Sequence, residues 1–337
     1  MKNYQYFFTL TIFLLTIPFL AGAQEEGQDD FRPHGSPIIK VFTNFHTSVM
    51  SDKEDAAFEI RRAYFGYRYQ PGAHFEIALK LDIGSPNDAS EYSLLRRFAY
   101  FKNAYLRYTA GRLTTQVGII DVYAFGEQED YWGHRYIQKS FMDEYGFSPA
   151  ADLGWSIAYR FHDMVSADFG IYNGEGYTKL QDDNAFKTAL GVSIFPVKDL
   201  IVRVYGDYMK KGPVQLTMGG FAGYKFRDKL TAGVEYDYQL NYNNGDGKDK
   251  YGYSVYGSWD FTPNWQVFAR YDQVYSNSLP DEDQPWDLAS DGSSLIGGVQ
   301  YSPIRQVKIA LNYQDWVPYA ANAGNDAYIF LNFEYKY

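Results

Sequence analysis

The sequence contains no cysteine at any of its 337 positions. That excludes a disulfide-stapled secreted scaffold and a lipoprotein acylated on a cysteine behind a leader. A second long apolar run is also missing. Beyond the first 23 residues nothing approaches the ~20 residues that a helical membrane span requires. Basic charge is not in excess: the formal net charge is -10, against a general nucleic-acid binder, which presents a basic field. Histidine is scarce, occurring only at 34, 46, 74, 134 and 162. None of the five falls in a Ser/His/Asp-like grouping that strand facing would bring together, so no catalytic residue and no cofactor are assigned. The stretches NYNNGDGKDK and NGEG lack the strand, turn and helix order of a phosphate cradle and read as loop chemistry.

What is present begins with Lys2, the apolar run YFFTLTIFLLTIPFL and the small-residue exit Ala21-Gly22-Ala23. This is the pattern of a secretory signal peptide over 1-23. Residues 24-37 follow as a short periplasmic lead, and 38-337 carry the folded body. Aromatics reach 19% of the chain while the mean hydropathy stays at -0.41, an odd pairing for a soluble protein.

The apolar pattern has a period of two. In HFEIALKLDIG, Phe75, Ile77, Leu79, Leu81 and Ile83 alternate with His74, Glu76, Lys80 and Asp82. A helix would scatter those charges over every face, whereas a strand sorts them. Similar runs recur to the C-terminus and predict about sixteen strands, an even number suited to a transmembrane antiparallel β-barrel. One run, AFEIRRAYFGYRY, resists assignment because Arg61 and Arg62 are adjacent and strict alternation sends them to opposite faces. If the strands alternate up and down, the short connections such as TAGR and FHDM fall at one end. The long ones, among them residues 121-151, fall at the other. The short end is then periplasmic. A soluble β-sandwich also alternates, but it gives no reason for that asymmetry, and here the apolar face has no partner layer except lipid.

FEIRRAYFGY, FKNAYLRY with LTTQVGII, KSFMDEYGFSPAADLGWSIAYRF with DFGIYNGEGY, and the late VFARYD resemble outer-membrane porins, and more narrowly the phosphate-selective porin O and P family. The resemblance covers nearly the whole chain after residue 23, through loose patterns. It implies an integral protein of the bacterial outer membrane, surrounded by lipid and lipopolysaccharide, that passes small ions or solutes, anions or phosphate among them, and assembles as a homotrimer. It also implies that the closing FEYKY is read by the barrel assembly machinery. Phe333, Tyr335 and Tyr337 then face lipid on a strand that closes the barrel against the first one. A barrel-scaffold enzyme or adhesin is the competing reading.

A pore works through the charges that line it. Strand facing puts Lys80, Arg107, Arg112, Arg160, Lys187, Arg203, Lys225, Arg270 and Lys308 on the wet side, interleaved with enough Asp and Glu nearly to cancel them. The resemblance places the third extracellular connection inside the barrel as a constriction. Its aromatics and mixed charges suit an inward fold, with Glu127, Glu129, Asp130, His134, Arg135, Lys139, Asp143 and Glu144 as the narrowing residues. An exposed surface loop is the alternative. The patches Asp182-Asp183 and Asp281-Glu282-Asp283 offer hard oxygen ligands but lack the spaced ligands and turning glycine of a calcium loop, so no metal is assigned.

Overall fold

The computed structural model describes residues 31–49, 55–84 and 99–337. The expected signal peptide, half of the lead and parts of the first two extracellular connections lie outside them. Sixteen strands follow in order: β1 (His34–Ser48), β2 (Ala56–Gly72), β3 (Phe75–Ile83), β4 (Ala99–Ala110), β5 (Leu113–Asp121), β6 (Ala151–His162), β7 (Val165–Tyr172), β8 (Lys187–Ile194), β9 (Leu200–Lys210), β10 (Val214–Phe226), β11 (Leu230–Leu240), β12 (Lys250–Thr262), β13 (Trp265–Ser276), β14 (Gly292–Ile304), β15 (Val307–Pro318) and β16 (Asp326–Lys336). Each pairs antiparallel with its sequence neighbours. β1 closes on β16 from Lys40 opposite Lys336 to Ser48 opposite Tyr328. From Lys40 onward closure leaves β1 no free edge, the condition for a sheet to cross hydrocarbon.

The first strand begins at His34, four residues inside the segment expected to be a lead. Up to Ile39 it pairs only with β2, and pairing with β16 starts at Lys40. Pro37, which has no N–H to offer, is tolerated because its other edge is free there.

Outward positions are apolar and open: Phe58 is 86% exposed, Leu190 56% and Leu311 58%. Inward positions of the same strands are charged, hydroxylic or packed against the inserted segment described below. A closed sixteen-strand barrel with this exterior has the architecture of an integral outer-membrane protein. Aromatics frame the apolar band, as with Tyr67, Tyr236, Trp259 and Trp265 outside. Tyr105 departs from the expected girdle, turning inward to donate its hydroxyl to Glu76 at 2.8 Å. Residues 333, 335 and 337 continue the outward set: Phe333 lies opposite Thr43 and Tyr335 opposite Val41, and the backbone N–H of Tyr337 donates to Ile39.

Two irregularities in the ladder decide the interior. Between β1 and β2 the register passes from Phe42/Arg62 to Thr43/Ile60, leaving Arg61 without a partner. Between β3 and β4 it passes from Lys80/Asn103 to Leu81/Phe101, leaving Lys102 over. Each is a β-bulge, which re-aims a side chain by inserting one residue. The adjacent arginines therefore both face the lumen, and so do Lys102 and Asn103.

Candidate functional site in the barrel lumen

The segment 122–150 leaves the end of β5 and packs against the inner wall before rejoining β6. It holds α1 (Gly126–Trp132) and α2 (Phe141–Glu144). Gly133 ends α1 with φ +69, a left-handed conformation favouring glycine, and donates its N–H to Glu129 at 2.9 Å. The wall holds this segment largely by its backbone carbonyls. Arg61 donates to Ile137, Tyr256 to Gln128, Lys308 to Gly133, Gln239 to Phe147 and Arg270 to Lys139, at 2.6–3.0 Å. Side chains complete the attachment. Tyr136 donates to Gln300 at 2.8 Å, Tyr145 donates to Asp272 at 3.1 Å, and Trp132 sits in a cage of Tyr256, Phe268 and His134. His134 is buried with its Nε2 2.8 Å from Gln266, and burial pushes its pKa down to about 3, so the ring is neutral.

The acidic and basic residues of the segment mostly bind each other. Arg135 lies 3.2 Å from Glu129 and 3.1 Å from Asp143, and Lys139 lies 3.9 Å from Asp143. Glu127 and Asp130 border a cavity of about 450 Å³ on the periplasmic side, where burial raises the Glu127 carboxyl above its usual range. Glu144 lies on the extracellular side, between the segment and the wall.

From β6 round to β16, Arg203, Lys187, Arg270 and Lys308 each meet a carboxylate, whereas Lys225 meets a ring and Arg160 a backbone carbonyl. Arg203 is 2.7 Å from Asp168 and donates to Ser193 and to the Tyr123 carbonyl. A side chain at Gly191 would place its Cβ 2.2 Å from the Arg203 guanidinium, so the pair needs a glycine beside it. Lys187 lies 3.7 Å from Asp207 and Lys308 3.8 Å from Glu334. Arg270 makes two bonds to Asp272, at 2.8 and 2.7 Å, under the Trp132 ring. Lys225 covers the Tyr131 ring at 4.6 Å. Arg107, on β4, is held by Glu76 at 2.9 Å and by Gln116. Arg112 and Arg160 sit at the periplasmic mouth, exposed and bound to the 161–163 turn. His74 is also in a periplasmic turn, with its Nδ1 2.8 Å from the Thr109 carbonyl.

The wall from β1 to β4 is different. Arg62 faces Asp82 at 3.3 Å, but among the described residues Lys40, Arg61, Lys80 and Lys102 have no carboxylate within ion-pair distance. Instead Arg62, Lys80 and Lys102 surround one ring, Tyr64, at 5.7–6.0 Å, and Lys102 also lies over Tyr177 at 5.1 Å. Asp121, which faces this wall, is engaged by Asn103 at 3.0 Å. Of this arc Lys40 and Lys80 follow from alternation alone. Arg61, Arg62 and Lys102 depend on the two bulges, whose traces in the sequence are the paired polar residues Arg61-Arg62 and Lys102-Asn103. A cleft of about 30 Å³ runs between the arc and the inserted segment, lined by Arg61, Arg62, Arg135, Lys139 and Glu144. Cavities of about 620 and 600 Å³ open above the segment.

One group of the acids that strand facing puts on the wet side is buried together. Glu235, Ser254 and Asp272 stand side by side across β11, β12 and β13, with Asp237 one step along, all buried under α2. Neither carboxylate oxygen of Glu235 or Asp237 has a hydrogen-bond partner. The Asp182-Asp183 patch meets Glu175, and the Lys211 ammonium lies 2.8–3.0 Å from all three carboxylates. A protein cation therefore sits where the acids converge, and they hold the Lys211 pKa well above its usual range.

No family model matches the chain, and no curated protein sequence does either. Solved structures do match in fold. OmpF of Salmonella typhi, in complex with daunomycin, superposes with a TM-score of 0.66 at 12% identity over 90% of this chain and 97% of its own. The outer membrane channel DcaP of Acinetobacter baumannii gives 0.63 at 11% identity, over 92% and 99%. The trimer form of OmpT, an outer membrane protein of Vibrio cholerae, gives 0.62 at 14%, over 91% and 100%. At such identities the likeness is one of fold: this chain is built as outer-membrane porins are.

Proposed function

We propose that the protein is a passive diffusion channel of the outer membrane for small hydrophilic solutes, with a preference for anions. The observation that carries this reading is the basic arc of Lys40, Arg61, Lys80 and Lys102, none of which has a carboxylate within ion-pair distance among the described residues, with Arg61 bordering a narrow cleft. A water-filled passage lined by uncompensated cations lowers the energy of an anion in transit. The inserted segment is the constriction, and Glu129, Arg135, Lys139, Asp143 and Glu144 set its charged edge. Lys187, Arg203, Arg270 and Lys308 act chiefly by holding that segment. Arg107, Arg112, Arg160 and Lys225 keep the periplasmic approach wet. The finer resemblance to phosphate-selective porins is supported by the arc, which is the part of the lumen able to take a phosphate. The trimer form of one structural neighbour supports a homotrimer, and lipopolysaccharide and the assembly machinery remain its proposed partners.

Non-enzymatic passage is the better reading of the interior. A hydrolase needs a nucleophile beside an oriented base. Of the lumen histidines, His46 instead meets Asn44 and lies 3.9 Å from Asp55, and His134 meets Gln266 and the Trp132 carbonyl. Swelling of liposomes containing the purified protein tests the proposal: small sugars and salts should enter without turnover, and vesicles that stay impermeable would refute it. Deleting residues 127–140 should raise single-channel conductance, and an unchanged conductance would remove the segment as the constriction.

A further inference from the structure

Trp316, Tyr328 and Phe330 are out of place in a hydrated lumen. They lie on the inward set of β15 and β16, where Gln314 faces Tyr328 and Asn312 faces Phe330, while the alternate residues Ile329 and Leu311 face out. They belong neither to the lipid belt nor to the packing around α1. All three are half-buried and line the extracellular cavity of about 620 Å³. Tyr145, from the inserted segment, adds a fourth ring, 6.1 Å from Trp316.

Flat rings open to water expose apolar area at a cost, and a ligand with its own flat apolar face recovers it. The rest of the lining is polar and mixed in kind. Gln138, Gln314 and Ser294 offer amide and hydroxyl groups, Glu144 and Asp326 accept, and Lys250 donates. Such a border matches an array of ligand hydroxyls, which both donate and accept, better than a purely aromatic or cationic guest. The volume falls within the ~300–1,000 Å³ of small-molecule sites. The cavity also has a direction. Gln138 and Glu144 line both it and the cleft bordered by Arg61 and Arg62, so the aromatic shelf adjoins that cleft.

We propose that this vestibule and arc together bind an anionic saccharide, a pyranose carrying a phosphate or carboxylate. The sugar ring stacks on Trp316 and Tyr328 and the anionic group reaches Arg61 and Arg62. This rests on the channel reading and names the solute class that the channel takes up.

The test is single-channel current through the full chain in planar bilayers, titrated with glucose 6-phosphate, glucose, inorganic phosphate and adenosine monophosphate. Glucose 6-phosphate should interrupt the current at concentrations about tenfold below those of glucose or phosphate, since two contacts act together. Trp316→Ala with Tyr328→Ala should bring it to the level of phosphate and leave the phosphate response unchanged. Arg61→Gln should bring it to the level of glucose. Equal potency of glucose 6-phosphate and phosphate, or of glucose 6-phosphate and glucose, would overturn the two-point site. A stronger effect of the nucleotide would overturn the saccharide assignment. In each of these cases ionic conductance persists and the channel reading survives, whereas absence of conductance in the wild type would sink both.

Discussion

Two walls of one barrel handle positive charge in opposite ways. From β6 to β16, Arg203, Lys187, Arg270 and Lys308 each have a carboxylate of their own, and Arg203, Arg270 and Lys308 spend further donors on the inserted segment. From β1 to β4, Lys40, Lys80 and Lys102 have none among the described residues and crowd instead around Phe42, Tyr64 and Tyr177, while Arg61, also without one, donates to the Ile137 carbonyl. A charge tally over the whole lumen comes out near zero, yet from β1 to β4 Arg62, Arg68 and Arg107 are paired with Asp82 and Glu76 and the other four cations are not. In the proposed channel the paired wall is the anchor, and the unpaired wall is what a passing ion meets. Near-neutral composition therefore does not imply a non-selective passage.

The sharpest way to break this contrast is to remove the uncompensated side. Replacing Arg61, Lys80 and Lys102 together by Gln should abolish anion preference in a potassium chloride gradient, moving the reversal potential to or past zero. Single replacements on the paired wall, such as Lys187→Gln, should leave its sign unchanged. A large effect on the anchor side is of another kind. Arg270→Gln leaves Asp272 buried without its partner and frees the Lys139 carbonyl. Breaking a buried pair costs roughly 3–5 kcal/mol, so thermal unfolding in detergent should come earlier and conductance should rise as the segment loosens.

Acid should weaken the anchor more gently. His134 is neutral where it docks and has a pKa of about 3 there, against about 6.5 when released. A depressed folded pKa means that the stabilising contribution is fully present above about 6.5 and is lost as pH falls toward 3. Between pH 7 and 5, before most carboxylates titrate, open-channel noise and conductance should climb. His134→Gln should flatten that profile. The smallest effect is expected at the acids under α2, whose carboxylates have no hydrogen-bond partners. Glu235→Gln with Asp237→Asn should raise stability by about 1–2 kcal/mol, because an amide costs less to bury than an unpaired carboxylate. A loss of stability on equilibrium unfolding would show that the charges are needed.

Much of the barrel was legible in the amino-acid order, because lipid on one side and water on the other impose a strict period of two. In HFEIALKLDIG that period alone separates Leu79 and Leu81 from Lys80 and Asp82. The element boundaries also followed closely, with β9, β10 and β11 over 200–210, 214–226 and 230–240. Selectivity was less legible, because it depends on the places where the period fails. Alternation sends Arg61 and Arg62 to opposite faces, and only a bulge sends both inward. Lys102 is hidden by the same device on β4. The ion partners of Arg203 and Arg270 come from strand register and β-strand facing, so their acids could be named, but their bonds to the Tyr123 and Lys139 carbonyls could not.

The most direct measurement is the zero-current potential of the reconstituted wild-type protein across a tenfold potassium chloride gradient at neutral pH. The uncompensated arc on β1 to β4 predicts a potential of the sign set by chloride moving faster than potassium. A potential set by potassium would contradict it.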